Sequence, residues 1–158
     1  SSAGAHLALL LGLSAPGDCG EPVEGRVGER WRAPIGIVVH AAFVRFAEWP
    51  EMFPSIYSDM KHIAGVDYQG NEALWERFSP INHLKPGGAS MLIIHASNEH
   101  MIPLEQVEEF VERAKAMDVT AHLKIYAPAE HGFLYGYSRP VQKRALADVE
   151  AFLDTLAR

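Results

Sequence analysis

Met91-Leu-Ile-Ile-His-Ala-Ser-Asn-Glu-His-Met-Ile-Pro103 decides how the rest of the chain is read. Its first half, Met91 to His95, is a short apolar run of the kind that forms a strand buried on both faces. Its second half turns polar at once, with Ser97, Asn98, Glu99 and His100, and then closes on Pro103. After the proline, Leu104, Val107, Val111, Ala114 and Met117 recur at intervals of three and four, which predicts an amphipathic helix with Pro103 at its start. Strand, polar turn and helix in that order make half of a βαβ unit. In a parallel sheet, reactive groups collect just past the carboxyl ends of the strands, so Glu99 and His100 stand where chemistry is expected.

The same pattern extends in both directions. Upstream, Ile35 to Val39 reads as a second buried strand. Between it and Met91, residues 41–62 hold Phe43, Phe46, Trp49, Phe53 and Tyr57 without a clean period, which suggests a cap over residues 41–80. A short helix is expected from Glu72 to Phe78, stopped by Ser79-Pro80 because the residue before proline disfavours helical geometry. Pro86-Gly87-Gly88 makes the loop into the Met91 strand.

Downstream, Ala121 to Tyr126 predicts a third strand, followed by a loop through Pro128 to Tyr137. A last helix carries Val141, Ala145, Val149, Phe152, Leu153 and Leu156 on one face, with Ser138 and Pro140 suited to its cap and first turn. At the other end, Ala3 to Leu13 is apolar nearly all the way round, as for a helix buried on most sides. Residues 14–34, rich in Gly and Pro, read as a long surface loop. Alternation of strands and helices argues for an α/β fold, a mainly parallel sheet with helices on both faces in three layers.

The 158 residues suit one domain, with 48% apolar and 22% charged residues and no biased tract. A formal charge of −6 without a basic stripe argues against nucleic acid as a partner. The longest apolar stretch, Ala3 to Leu13, falls short of the roughly 18 residues of a membrane span. Cys19 is the single cysteine and has no zinc-ligand neighbours, so it reads as a lone loop thiol and leaves the compartment open. Histidines 6, 40, 62, 83, 95, 100 and 122 form no metal set, since neither H-E-x-x-H nor H-x-x-E-H occurs; no metal or other cofactor is expected. His6 and His95 read as packed histidines beside the sheet. The chain opens on Ser1 rather than Met, directly into a helix pattern, and three strands are few for such a sheet. An N-terminally incomplete domain is therefore expected, and oligomeric state is left open.

Past the strand ending at Tyr126 come Glu130 and His131, and Ser2 sits at the mouth of the first helix. Ser2, Glu99 and His131 thus supply a hydroxyl, a carboxylate and an imidazole. Ser2 alone reads more readily as a helix N-cap, the commoner role of a serine before such a helix. Taken with its surroundings, however, Ser1-Ser2-Ala3-Gly4-Ala5-His6 resembles the second half of the nucleophile elbow of the α/β-hydrolases. Met91 to Pro103 is similar to that family's acid strand and loop, Ala129-Glu130-His131-Gly132-Phe133 to its histidine loop, and Ser79-Pro80-Ile81 to the stretch before the acid strand. Within the family the chain looks most like the branch of acetyl esterases, feruloyl-type esterases and kynurenine formamidases.

The resemblance implies a serine hydrolase that cleaves carboxylic esters of small molecules. Ser2 would be the nucleophile, His131 its base and Glu99 the acid that holds the imidazole. It also implies the backbone N–H of Ala3 as an oxyanion donor, a second donor coming from an earlier loop outside this chain. Trp49, Phe53, His100 and Phe133 are the residues expected to meet substrate. Departures are the missing glycine two residues before the nucleophile, Ala96 for the usual Gly, and Glu99 where most relatives have Asp. Alternatives in view are an amide or formamide hydrolase or oligopeptidase-type relative with the same triad, and an inactive hydrolase-like domain that binds a partner. An N-terminal-nucleophile hydrolase using Ser1 would require a different fold.

Overall fold

The computed structural model describes residues 1–20 and 32–157. The elements run α1 (Ala3–Leu13), β1 (Gly36–His40), α2 (Pro54–Ala64), α3 (Glu72–Glu76), a 3₁₀ turn (Pro80–His83), β2 (Ser90–Asn98), α4 (Leu104–Ala116), β3 (Ala121–Glu130), a 3₁₀ turn (Phe133–Tyr135) and α5 (Pro140–Leu156). The three strands pair in chain order and all run parallel. Gly36 lies opposite Ser90 and His40 opposite Ile94, while Met91 lies opposite Ala121 and Ala96 opposite Tyr126.

β2 is central, and its residues from Met91 to Ala96 are all buried, which is why it reads as an unbroken apolar run. Alternation along it sorts the layers. Met91 and Ile93 join Ile37, Val39, Ala5, Leu9 and Leu13 with Val107, Phe110 and Val111, so α1 and α4 cover one face. Leu92, Ile94 and Ala96 join Tyr126, Ala145 and Phe152, so α5 covers the other. This is the three-layer α/β/α arrangement expected. α1 lies so close to β1 that a Cβ at Gly12 would run into the Ile37 side chain, and only glycine permits that approach.

Several local readings are corrected. α1 is buried along one side only, with Leu7 at 65% and Leu11 at 66% exposure, so its second apolar side is left open among the described residues. β1 is displaced by one residue, starting at Gly36 after an exposed Ile35 and ending at His40. β2 runs on to Asn98 and β3 to Glu130, so part of each supposed loop is strand, with a register irregularity between Ala96 and Asn98. The expected helix to Phe78 ends at Glu76. Ser138 is not the cap of α5: Arg139 takes that position, and its N–H donates to the Gln142 side chain (2.8 Å). The reading of 14–34 as loop falls partly on residues 21–31, outside the described residues.

The stretch from 41 to 80 builds a small core of its own. Phe46, Ile56, Met60 and Trp75 are buried together, with Phe43, Trp49, Tyr57, Tyr68 and Phe78 packed around them. α2 was hidden among the aromatics, but Pro54 at its first turn and Gly65 in the left-handed region at its end (φ 76°) bound it as such signals should. Ser79, fully buried, accepts the Phe46 N–H (2.7 Å). His6 ties this unit to α1, its Nε2–H donating to the Phe78 carbonyl (2.7 Å) while its ring stacks on Phe46 at 5.4 Å. Burial holds His6 below the usual histidine pKa.

Candidate active site

Because the strands are parallel, their carboxyl ends share one edge of the sheet, and α1 begins there as well. Ser2 stands at the mouth of α1 with φ 52° and ψ −127°, a left-handed backbone that a non-glycine residue rarely adopts. Such strain costs about 1–3 kcal/mol and persists where surrounding bonds over-determine it. Here the Ser2 N–H donates to the His40 carbonyl (3.0 Å), and the Ser2 carbonyl accepts the N–H groups of Ala5 and His6. The Ser2 hydroxyl makes no capping bond to α1. Instead its Oγ lies 3.1 Å from His131 Nε2.

His131 sits just past β3, followed by Gly132 in the left-handed region (φ 75°), where a Cβ would meet the Tyr135 ring. That turn brings the imidazole back over the sheet edge. Its Nδ1 lies 2.8 and 2.9 Å from the two carboxyl oxygens of Glu99. A carboxylate only accepts, so Nδ1 carries the hydrogen and the Nε2 lone pair faces Ser2. The Glu99 carboxyl is 1% exposed, against 20% for the imidazole, and its Oε1 also accepts the Met101 N–H (2.9 Å). The three residues are thus brought into one hydrogen-bonded row across 129 residues of chain. The extra methylene of Glu99 is absorbed without loss of contact.

Ala3 opens α1, where the first N–H groups have no intrahelical acceptor and the helix dipole favours negative charge. A cavity of about 140 Å³ opens beside it, lined by Ser2, Ala3, His6, Phe43, Phe46, Ile56, Asp59, Met60, Ile63 and Met101. Asp59 is the one carboxylate on this otherwise largely apolar wall.

The residues expected to meet substrate lie elsewhere. Trp49 packs on Phe43 (ring centres 6.2 Å apart) and Phe53 stands at the exposed start of α2, so neither lines this cavity. His100 is exposed, one residue past Glu99. Phe133 packs edge-on against His40 (4.8 Å) and on Tyr126 (5.6 Å). It lines a second, more polar cavity of about 660 Å³ behind His131, which Ser2 does not reach. The cavity walls that sequence reasoning missed had one usable signal, the spacing of Ile56, Met60 and Ile63 at four and three residues, a helix face.

Two further histidines flank the row. His40, at the end of β1, is 5% exposed, and His95, on β2, is 1% exposed. Burial is the chief cause that lowers both pKa values, His40 to about 4. Asp118, another carboxylate beside a strand of this sheet, precedes β3 and so lies at the opposite edge, away from this row. Among the described residues no helix is long and apolar enough to cross a membrane.

Comparison with known proteins agrees with this architecture. The family model described as BD-FAE matches residues 1–114. No curated protein matches the chain. Among solved structures, the native form of the esterase Est2 from the Planctomycetes species Thermogutta terrifontis superposes with a TM-score of 0.70 at 20% identity, covering 97% of this chain and 52% of that one. Its propionate-bound form gives 0.71 at 19% identity, covering 99% and 54%. The same esterase phosphonylated by sarin gives 0.72 at 20% identity, covering 96% and 53%. The chain therefore spans about half the length of these esterases and shares their fold.

Proposed function

The chain belongs to the BD-FAE family, an α/β-hydrolase family of the esterase type, and from that premise we propose that it cleaves carboxylic esters through an acyl-enzyme formed on Ser2. The observation that carries the reading is the row Ser2 Oγ to His131 Nε2 to Glu99, with separations of 3.1 and 2.8 Å. A serine hydroxyl is a weak nucleophile until a positioned imidazole takes its proton. As Oγ attacks the ester carbonyl, its proton passes to Nε2, and the buried Glu99 carboxylate stabilises the imidazolium. The developing oxyanion lies toward the Ala3 N–H at the start of α1. Nε2 then protonates the leaving alkoxide, and a water molecule repeats the sequence to free the acid and Ser2.

The cavity beside Ser2 takes the apolar arm of the ester. Its 140 Å³ is close to a cavity of about 150 Å³ that holds one benzene, so it has room for an arm of roughly six carbons. Residues 41–80 serve as the cap that walls it, since Phe43, Phe46, Ile56, Met60 and Ile63 all come from that stretch. Support also comes from the Thermogutta esterase, whose propionate-bound and sarin-phosphonylated forms share the fold.

The test is hydrolysis of p-nitrophenyl propionate by the full chain, with paraoxon as covalent probe and mass spectrometry to locate the adduct. Turnover that Ser2→Ala abolishes, and an adduct on Ser2, are expected. Turnover untouched by Ser2→Ala refutes the reading, and faster cleavage of the matching anilide would make the enzyme an amidase.

A further inference from the structure

We infer that His40 is a positioning residue of the hydrolytic site, holding the nucleophile turn and the histidine loop in register with each other. The inference rests on the Ser2–His131–Glu99 reading above and adds a fourth side chain to it. Three contacts converge on this one residue. Its carbonyl accepts the Ser2 N–H (3.0 Å), which anchors the strained nucleophile from the main chain. Its Nδ1 lies 3.1 Å from Ser1 Oγ, which anchors the preceding residue from the side chain. Its ring packs edge-on against Phe133, two residues past the base, with ring centres 4.8 Å apart. One side of His40 therefore grips the loop that bears Ser2, and the other supports the loop that bears His131.

The chemistry of the residue fits that task better than a packing role. Ser1 occupies Nδ1 whichever tautomer is present, and Nε2 is then buried without a hydrogen-bond partner among the described residues. A buried polar atom left unpaired costs stability, and an apolar ring of the same shape would avoid that cost. Packing alone would favour phenylalanine at this position. What phenylalanine cannot supply is the bond to Ser1. Burial also keeps His40 neutral, with its pKa lowered to about 4, so it does not compete with His131 for the serine proton. Ala41, next along, has φ 48° and donates its N–H to the Ile94 carbonyl (2.9 Å), which turns the chain sharply off the sheet and fixes His40 at the edge.

The experiment is a cycle in the full chain of His40→Phe, Ser1→Ala and the double variant, with His40→Asn as partial rescue, since an Asn side chain places a polar atom near Nδ1. Readouts are kcat and KM on p-nitrophenyl propionate, the rate of phosphorylation by paraoxon, and Tm. A misplacement of about 1 Å can cost about 10²-fold in rate, so His40→Phe should lower kcat about ten- to a hundredfold and slow paraoxon to match. KM should stay within about twofold and Tm should hold or rise, because the unpaired nitrogen is gone. Ser1→Ala should lower kcat about three- to tenfold, the double variant should fall no further than His40→Phe, and His40→Asn should recover part of the loss. Full kcat in His40→Phe, or losses that multiply in the double variant, overturn the role of His40 while leaving the triad standing. If His40→Phe fails to fold, Ser1→Ala alone decides, and its kcat within twofold of the parent overturns the inference. Wild-type turnover that Ser2→Ala leaves intact removes the triad reading and this inference together.

Discussion

Glu99→Gln is the sharpest perturbation of the proposed site, because it changes one proton's location and little else. Glutamine has the size of glutamate, and its carbonyl oxygen can keep the Met101 N–H that Glu99 Oε1 now accepts at 2.9 Å. The other arm becomes an amide that donates rather than accepts. Facing His131 Nδ1 across 2.8 Å, it forces the imidazole into the tautomer with hydrogen on Nε2. That hydrogen then points at Ser2 Oγ, 3.1 Å away, and the lone pair needed to take the serine proton is gone.

The size of the effect follows. Loss of the correct tautomer and of charge support for the imidazolium in a serine triad costs about 10⁴ in kcat, or about 5.4 kcal/mol of barrier. Stability should change far less, because a bond to a carboxyl that is 1% exposed is replaced by an amide–imidazole bond and the packing is unchanged. A net change of about 1 kcal/mol shifts Tm by about 3 °C for a chain of this length. The assay is kcat on p-nitrophenyl propionate with Tm measured on the same samples, beside Asp118→Asn as control. A loss below about tenfold in Glu99→Gln, or a larger loss in Asp118→Asn, refutes the assignment of the acid.

Three further outcomes are expected. His40 has a lower pKa folded than unfolded, so folding carries no penalty from its protonation above about pH 6.5 and the fold loses stability as pH falls toward 4, about 3 kcal/mol at 1.36 kcal/mol per unit; His6 and His95 act with the same sign. Urea unfolding at pH 7, 5.5 and 4.5 checks this, and stability that stays level or rises on acidification contradicts it. Met60→Ala should enlarge the cavity beside Ser2 and move the preferred acyl chain about two carbons longer, with each added methylene worth about 0.8 kcal/mol of binding; an unchanged chain-length profile on p-nitrophenyl esters places the acyl arm elsewhere. Ser79→Ala removes the buried acceptor of the Phe46 N–H and should cost about 1–3 kcal/mol in urea, a loss under about 0.3 kcal/mol showing that the amide finds another partner.

Much of the architecture was legible because it depends on local pattern. A central parallel strand buried on both faces must be apolar throughout, and Met91 to Ala96 is. α4 shows its period because one of its sides meets the sheet and the other meets water. The candidate nucleophile, base and acid were legible for a topological reason. All strands of a parallel sheet end at one edge, so residues past the strands expected to end at His95 and Tyr126, and just before α1, fall on that edge once the alternation of elements is known. Their roles come from the resemblance of Ser1 to His6, Met91 to Pro103 and Ala129 to Phe133 to α/β-hydrolase motifs, since Ser2 alone also reads as a helix N-cap.

The walls of the site and the role of His40 depend on register and helix rotation, which composition does not encode. Trp49 and Phe53 drew attention as large aromatics, yet Trp49 turns onto Phe43 and Phe53 stands at the exposed start of α2, while Ile56, Met60 and Ile63 face the cavity because they share one side of that helix. Their signal was a spacing of four and three, masked by Tyr57 and by the prolines before it. His40 is harder still. It reaches Ser1 because α1 enters the sheet edge beside β1, and it meets Phe133 because β1 places its side chain on the α5 face, as alternation from Val38 requires. A shift of one residue in β1 would turn that imidazole onto the opposite face and away from Phe133. The displacement of β1 from Ile35–Val39 to Gly36–His40 is thus the step that brings His40 into the strand, and with it into reach of the loops that bear Ser2 and His131.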